Sequence, residues 1–181
     1  MNKSIAAASL FILCSVCANP CYAYGSDGAD FELGSGLGNH GEMWRVGVFW
    51  DWKKKWLATR NWHLGGYWDA QFGQWSGSGK RTINDLGLTP VFRFQQSSPS
   101  KISPYVEGAI GLHLISPTRF DDNRQLSSAV QFGDHIGVGA RFGEHWKYDL
   151  SLRFQHLSNG GIKEPNDGIN FLQLRLQHHL D

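Results

Sequence analysis

The sequence lacks cysteine beyond its first 23 residues. Its three cysteines all precede that point, at Cys14, Cys17 and Cys21. The same stretch has a basic start at Lys3, an uncharged apolar run over 5–16 and small residues near Ala23. This pattern predicts a secretory signal peptide over residues 1–23. Because residues 24–181 contain no cysteine, they cannot form disulfides, thiolate zinc sites or a cysteine nucleophile.

The chain also has little charge and no long apolar run after the predicted signal. Charged residues make up 18% of the sequence. Without Lys3, the 17 basic residues fall to 16 and equal the 16 acidic residues. A neutral chain with interspersed signs gives no electrostatic reason to expect nucleic acid as a partner. No apolar run approaches the roughly 20 residues of a spanning helix, which excludes a helical membrane protein.

Glycine and aromatic residues are abundant instead, with 22 Gly, 8 Trp, 5 Tyr and 11 Phe. Along the chain, apolar and polar residues alternate in short segments, which predicts strands. Turn-forming residues separate the segments, and the length suits one domain. We identify eight such segments, at 29–38, 43–52, 62–73, 84–95, 104–115, 130–143, 146–158 and 168–180.

The predicted strands have one apolar face and one face of charged residues and glycines. In the second segment, Trp44, Val46 and Val48 share one face, and Arg45 lies on the other. A soluble barrel is apolar inside, whereas charges that pair among glycines fit the interior of a narrow membrane barrel. The charged residues of the polar faces are Arg45, Asp51, Asp69, Arg93, Glu107, Arg141, Arg153 and Arg175.

The sequence therefore predicts an all-β fold, an eight-stranded antiparallel transmembrane β-barrel over residues 24–181. An even number of strands returns both termini to the periplasmic side. A secreted soluble barrel that binds a small apolar ligand is the alternative interpretation. Aromatic residues near the segment ends fit the interfacial girdles of a membrane barrel, at Trp44, Trp52, Trp62 and Trp146.

The seventh segment carries two residues suited to nucleophilic catalysis on its apolar face. Its even positions continue through Phe154 to His156 and Ser158. Residues two apart on a strand share a face at about 6.6 Å, so the Ser158 hydroxyl can reach the His156 imidazole. A serine beside a histidine base is the pair that acyl transfer requires. Their outward direction predicts an enzyme that acts on lipid.

The residues after Ser158 fit a site that stabilises an oxyanion. Asn159 offers a side-chain amide, while Gly160 and Gly161 offer N–H groups on a backbone free to adopt positive φ. The same Ser-Asn-Gly-Gly run is also ordinary hairpin-loop chemistry, and short motifs often match by chance. The residues alone leave both interpretations open.

This region resembles the active-site signature of the outer-membrane lipid A 3-O-deacylase family. The family pattern is His-x-Ser-Asn, a small residue and Gly, and then Pro-Asn-x-Gly before the last strand. The fifth segment, and the layout of a signal peptide followed by eight strands, are also similar to the family. The matching positions of the signature are His156, Ser158, Asn159, Gly160, Gly161, Pro165, Asn166 and Gly168.

The resemblance implies an esterase that hydrolyses the 3-O-linked hydroxyacyl chain of lipid A. It implies Ser158 as the nucleophile and His156 as the general base. It also implies that Asn159 and Gly161 help to hold the oxyanion. No cofactor and no metal are expected.

One position departs from the family pattern. Relatives have a glutamate twelve residues after the serine, where this chain has Asn170. If the last two strands pair as expected, Asn170 lies opposite His156 and orients the imidazole through its carbonyl, without supplying charge. Glu164 and Asp167 in the preceding connection are the alternative carboxylates.

The predicted topology puts this site in the outer leaflet. With a periplasmic N-terminus, odd strands run outward, so His156 and Ser158 lie near the extracellular side. The expected location is the bacterial outer membrane, and the expected partners are lipopolysaccharide, as the lipid A substrate, and outer-membrane lipids. The oligomeric state stays open, a homodimer included. A non-catalytic structural or adhesive outer-membrane barrel is the alternative function.

Overall fold

A computed structural model describes residues 26–38, 41–76, 81–98, 100–119 and 126–180. The predicted signal peptide lies outside these residues. Within these residues the chain forms one short 3₁₀ turn, between Glu144 and Trp146, and the regular structure is otherwise β. The strands are β1 Gly28–Gly36, β2 Glu42–Asp51, β3 Trp62–Ser76, β4 Thr82–Gln96, β5 Ile102–Ser116, β6 Val130–Phe142, β7 Tyr148–Ser158 and β8 Ile169–His179.

The eight strands form a closed barrel in chain order. Each neighbouring pair is antiparallel, and β1 closes the barrel by pairing with β8. Gly28 pairs with His179, so the start of β1 and the end of β8 meet at one rim. The predicted eight-stranded antiparallel barrel is confirmed. Among the described residues, no helix is long and apolar enough to cross a bilayer.

The two faces of the barrel wall are inverted relative to a soluble barrel. Ile110 and Ile136 on the outer face are 67% and 69% exposed, while Arg93 and Arg175 on the inner face are 2% and 0% exposed. A broad exposed apolar band of this kind matches the lipid-facing wall of a membrane barrel. Asp51 is the exception in the predicted interior set, because it lies at the rim with 43% of its side chain exposed.

Ion pairs fill the middle of the lumen. The Glu107 carboxylate accepts hydrogen bonds from Arg93 Nη2 at 2.8 Å and Arg153 Nε at 2.6 Å. Arg175 Nη2 lies 2.7 Å from Asp69 Oδ2. These side chains are at most 2% exposed, whereas a water-filled channel would expose them. The lumen is therefore a packed polar core, and charge pairing replaces water inside it.

An apolar plug fills the lumen at the end where β7 finishes and β8 begins. It fixes the backbone of both strands from the inside and leaves their outward residues free for other contacts. Its members are Met43, Trp75, Ile83, Ile115, Leu126, Leu157, Ile169 and Phe171.

Strand β7 begins two residues later than predicted. The prediction began the seventh strand at Trp146, but β7 starts at Tyr148. The 3₁₀ turn occupies the intervening residues, and both His145 (φ 54°) and Trp146 (φ 60°) have left-handed backbone angles. Such angles are incompatible with a strand, and alternation of side chains does not report them.

Candidate active site

His156 and Ser158 lie on the outer face at the end of β7. The intervening Leu157 is 0% exposed and belongs to the apolar plug, and Gln155 is buried in the lumen. Because side chains alternate along a strand, the two candidate catalytic residues project outward with Phe154. Both are half-buried. The predicted outward direction of this pair is confirmed.

The β7–β8 ladder places Asn170 directly opposite His156. The predicted register is therefore confirmed. His156 Nδ1 lies 2.7 Å from Asn170 Oδ1. A carbonyl oxygen only accepts, so Nδ1 carries the hydrogen and Nε2 keeps its lone pair. In this tautomer Nε2 can accept a proton, as a general base must.

Gly168 packs against the imidazole. It has a φ of 59°, and a Cβ atom built on it would lie 2.8 Å from His156 Cε1 and 3.4 Å from Nε2. Continuing the β7–β8 register places Gly168 across from Ser158. The Cε1–Nε2 edge of the ring therefore faces the end of the ladder where the serine lies. Glycine satisfies both the backbone angle and the close approach.

The Ser158 hydroxyl contacts the following turn. Its Oγ accepts a hydrogen bond from Gly160 N–H at 3.4 Å. Among the described residues, no hydrogen bond joins this oxygen to the His156 ring. Nucleophile–base contacts are commonly long in a free enzyme and shorten when substrate binds. Phe132 on β6 pairs with Ser158 and packs on Gly160, which closes the other side of the serine.

Asn159 supports the connection after β7 and does not point its amide at the serine. Its Nδ2 donates to the carbonyl oxygens of Leu126 at 2.8 Å and Lys163 at 2.6 Å. Its Oδ1 accepts from Gly161 N–H at 2.9 Å. Both amide hydrogens are thus engaged, which departs from the expected role of this side chain as an oxyanion donor. The residue is 1% exposed, so its hydrogen bonds hold the turn in place.

The two alternative carboxylates lie in the connection between β7 and β8. Glu164 and Asp167 are both exposed. Glu164 Oε2 accepts a hydrogen bond from Asn166 N–H at 3.0 Å, and Asn166 Oδ1 accepts one from Asn159 N–H at 3.0 Å. The acceptor of the imidazole Nδ1–H is Asn170 Oδ1. Glu164 therefore contributes to the loop structure.

Asp134 is the residue near His156 that the sequence interpretation missed. It lies on β6, pairs with His156 across the β6–β7 ladder and is exposed on the outer face. Its signal in the sequence is a single acid in an outward series that is otherwise apolar, from Phe132 through Ile136 to Val138. A carboxylate on the lipid-facing wall has no structural explanation in a plain barrel and is therefore a functional candidate.

A groove of about 570 Å³ runs along the outer wall from this acid. It crosses Gly108, which is outward-facing and meets only His135 O, at 3.7 Å, when a Cβ is added. The missing side chain therefore leaves the depression open. The outward residues that line the groove are Pro90, Phe92, Gly108, Ile110, Asp134, Ile136 and Phe154. In the described part of the chain, no cluster of three His, Cys, Asp or Glu residues could hold a metal ion.

Comparison with known proteins identifies the family. The family model described as lipid A 3-O-deacylase (PagL) matches residues 40–179. The chain belongs to the PagL family. The lipid A deacylase PagL of Pseudomonas aeruginosa is 36% identical over 176 residues, which covers 96% of each chain. The lipid A deacylase PagL of Bordetella bronchiseptica is 33% identical over 135 residues, covering 65% of this chain and 72% of the relative.

The fold agrees with that family. A crystal structure of the outer membrane enzyme PagL matches with a TM-score of 0.77 at 34% identity, covering 84% of this chain and 99% of that one. The resemblance drawn from the His156 region is thereby confirmed at the level of the PagL family. The roles of the individual residues stay predictions.

Proposed function

We propose that this chain is a lipid A 3-O-deacylase of the bacterial outer membrane. One observation carries the proposal. Within a chain of the PagL family, a histidine in the base tautomer and a serine two residues later project from the lipid-facing wall of a barrel. A nucleophile in that position has access to lipid esters and not to solutes in the lumen.

In the proposed reaction, Ser158 Oγ attacks the carbonyl carbon of the ester while His156 Nε2 accepts the hydroxyl proton. The carbonyl electrons move to the oxygen and form a tetrahedral oxyanion. Collapse breaks the bond to the sugar 3-oxygen, which takes the proton from the imidazolium. Water then attacks the acyl-serine by the same route, which releases the hydroxy fatty acid and restores the serine.

The turn after the serine supplies the oxyanion donors. Gly160 N–H already lies near Ser158 Oγ with a long hydrogen bond of 3.4 Å, so it can turn to a stronger acceptor at low cost. Gly161 N–H becomes a second donor if it leaves Asn159 Oδ1. Asn159 acts by holding this turn through its two carbonyl partners. Fixed N–H groups of this kind are often the largest single contribution in acyl transfer.

The groove beside His156 suits the acyl chain of the substrate. It is lined mainly by apolar side chains and starts at Asp134 and Phe154, next to the proposed base. A hydrocarbon chain in this groove covers apolar surface and directs its ester carbonyl toward Ser158. The substrate then binds from the membrane, in the leaflet reached by the end of β7, where lipopolysaccharide is found.

The test uses purified full-length barrel in detergent, incubated with lipopolysaccharide. Mass spectrometry of the lipid A should show the loss of one hydroxyacyl chain. Ser158→Ala should lower the rate by about 10³-fold or more. Ser76→Ala is the matched control, because Ser76 is also half-buried and outward-facing at the corresponding end of an odd strand, β3.

The alternative function, a non-catalytic structural or adhesive barrel, predicts a different result. Lipid A would then stay fully acylated with a correctly folded barrel, as judged by its heat-modifiable migration. Retained activity in Ser158→Ala would instead show that the active serine was wrongly assigned.

A further inference from the structure

The proposed base has a neutral partner. When His156 accepts the serine proton, it becomes a cation whose hydrogen-bond acceptor, Asn170, carries no charge. Beside lipid the dielectric constant is low, and an unbalanced charge is costly there. Something else must stabilise the imidazolium if the reaction is to proceed at a useful rate.

Asp134 is the ionisable side chain that faces His156 from the adjoining strands. It lies directly opposite on β6, and opposed residues in an antiparallel ladder have Cβ atoms about 4.5–5.5 Å apart. Asn170 is opposite on β8, and Ser158 and Phe154 are the outward neighbours on β7. None of these three carries charge at neutral pH, and the remaining outward neighbours of the ring on β6 and β8 are apolar: Phe132, Ile136 and Leu172.

The connection between β7 and β8 carries the other charged groups nearby. Lys163, Glu164 and Asp167 are all exposed to solvent there, where water screens their charges. Glu164 is turned toward the Asn166 N–H at 3.0 Å. The sheet position of Asp134 is fixed by the barrel, which keeps this residue beside His156 across the ladder.

We propose that Asp134 is the positioning residue that balances the charge on protonated His156, on the opposite side of the ring from Asn170. Orientation of the imidazole and stabilisation of its charge are then carried out by two different residues. Asn170 fixes the tautomer through a neutral hydrogen bond, and Asp134 supplies the negative charge across the other ladder. This inference rests on the proposed function, since it concerns the imidazolium that forms during ester cleavage.

The position of Asp134 makes its effect larger in the transition state than in the free enzyme. Asp134 lines the apolar groove together with Ile136 and Phe154. An acyl chain in that groove displaces water from around the carboxylate, and the field at His156 increases as the local dielectric constant falls. The benefit appears when the imidazole is protonated, so it lowers the barrier and not the energy of the bound substrate.

The test is a double-mutant cycle of Asp134→Asn with Asn170→Glu. In the native background, Asp134→Asn should lower kcat about 10-fold with little change in KM. In the Asn170→Glu background, a carboxylate supplies charge to the ring directly. Asp134→Asn should lower kcat by less than about 3-fold there, because either carboxylate can stabilise the imidazolium. Glu42→Gln is the matched control, an exposed acid removed from the outer face at the corresponding end of β2, and it should leave kcat unchanged.

The pH dependence gives a second readout that a purely structural role would not move. Loss of the Asp134 charge makes the protonated imidazole less stable, so the base loses its proton at lower pH. The acidic limb of the kcat profile should therefore move to lower pH in Asp134→Asn. Asp134→Glu keeps the charge and should keep the native profile.

The outcomes separate the two proposals. Equal loss of kcat in both backgrounds would mean that Asp134 acts on the substrate or the fold, and an unmoved acidic limb in the native background would overturn the inference. Asp134→Ser provides the same charge removal if the asparagine variant does not give heat-modifiable barrel. If native protein leaves lipid A intact, or Ser158→Ala retains activity, the proposed function fails instead.

Discussion

Across the β7–β8 ladder, His156 Nδ1 donates a hydrogen bond to Asn170 Oδ1 over 2.7 Å. The pair lies on the outer wall of the barrel, one residue pair after β8 begins, and sets the direction of the imidazole. In serine esterases this position relative to the histidine is commonly held by a carboxylate. Here an amide holds that position, so in the proposed mechanism the hydrogen bond that orients the ring and the charge that balances it come from different residues.

Removal of the Asn170 amide should reduce activity because the His156 ring is no longer held in the tautomer that a base requires. In Asn170→Leu the Nδ1–H loses its acceptor, and the ring can bind its proton on Nε2, which disables the base. We expect kcat to fall by about 10²-fold or more, measured as initial rates of deacylation in detergent. Asn84→Leu is the control, an exposed outward asparagine at the corresponding rim on β4. An unchanged kcat in Asn170→Leu would show that the hydrogen bond is not used.

A methyl group at Gly168 should displace the imidazole. The added Cβ would lie 2.8 Å from His156 Cε1, and the residue would also hold a φ of 59°. Gly38→Ala is matched for the second effect alone, because Gly38 has a φ of 77° and nothing within 4 Å of its Cβ position. Both variants should lose about 1 kcal/mol of unfolding free energy. Only Gly168→Ala should also lose most of its kcat, and equal activity of the two variants would exclude the steric argument.

A side chain that fills the groove should slow the cleavage of long-chain substrates and leave the cleavage of short-chain substrates unchanged. Gly108→Leu projects a side chain into the depression that the missing Cβ leaves open. Cleavage of long-chain lipid A should fall at least about 10-fold, because several methylene contacts at about 0.8 kcal/mol each are lost. A short p-nitrophenyl ester, which does not reach Gly108, should be cleaved normally. Ala140→Leu enlarges an outward residue on β6 away from the groove lining and serves as control.

The ion pairs in the lumen should stabilise the folded barrel and have little effect on catalysis. Glu107 receives hydrogen bonds from Arg93 and Arg153, and Glu107→Gln removes the negative charge that these two buried cations share. We expect a loss of about 3–5 kcal/mol of unfolding free energy in urea titrations followed by heat-modifiable migration. Asp51→Asn removes a rim carboxylate whose side chain is 43% exposed and should cost under about 1 kcal/mol. Similar costs for both variants would contradict the packed-core description.

Alternation was enough to predict the barrel. The alternation of charged residues such as Arg93 and Arg175 with apolar residues such as Ile110 and Ile136 predicted the strands and the lipid-facing direction of their apolar faces. The same alternation predicted the outward direction of the proposed catalytic pair. The opposition of His156 and Asn170 followed from pairing Ser158 with Gly168 across the last hairpin, with Asn170 on the same outward face as Leu172.

Features that depend on contacts between distant parts of the chain could not be predicted from the sequence. Asp134 could be seen as an acid in an apolar series, but its meeting with His156 depends on the β6–β7 register. The sequence suggested the Asn159 amide as an oxyanion donor. It did not show that the carbonyl oxygen of Leu126, on a distant connection, accepts a hydrogen bond from this amide. The shortened start of β7 depends on left-handed angles at His145 and Trp146, which ordinary residues adopt only when their surroundings require them.

In the proposed mechanism Ser158 is the nucleophile, activated by His156 on the lipid-facing wall. The most direct measurement is intact-protein mass spectrometry after treatment of the folded barrel with a lipid-like fluorophosphonate, followed by peptide mapping. We expect one phosphonyl adduct on Ser158, which should be absent in Ser158→Ala. Its formation should be strongly slowed in His156→Asn but not in His178→Asn, which changes an outward histidine at the opposite rim. A folded barrel that stays unlabelled, or that is labelled on another residue, would contradict it.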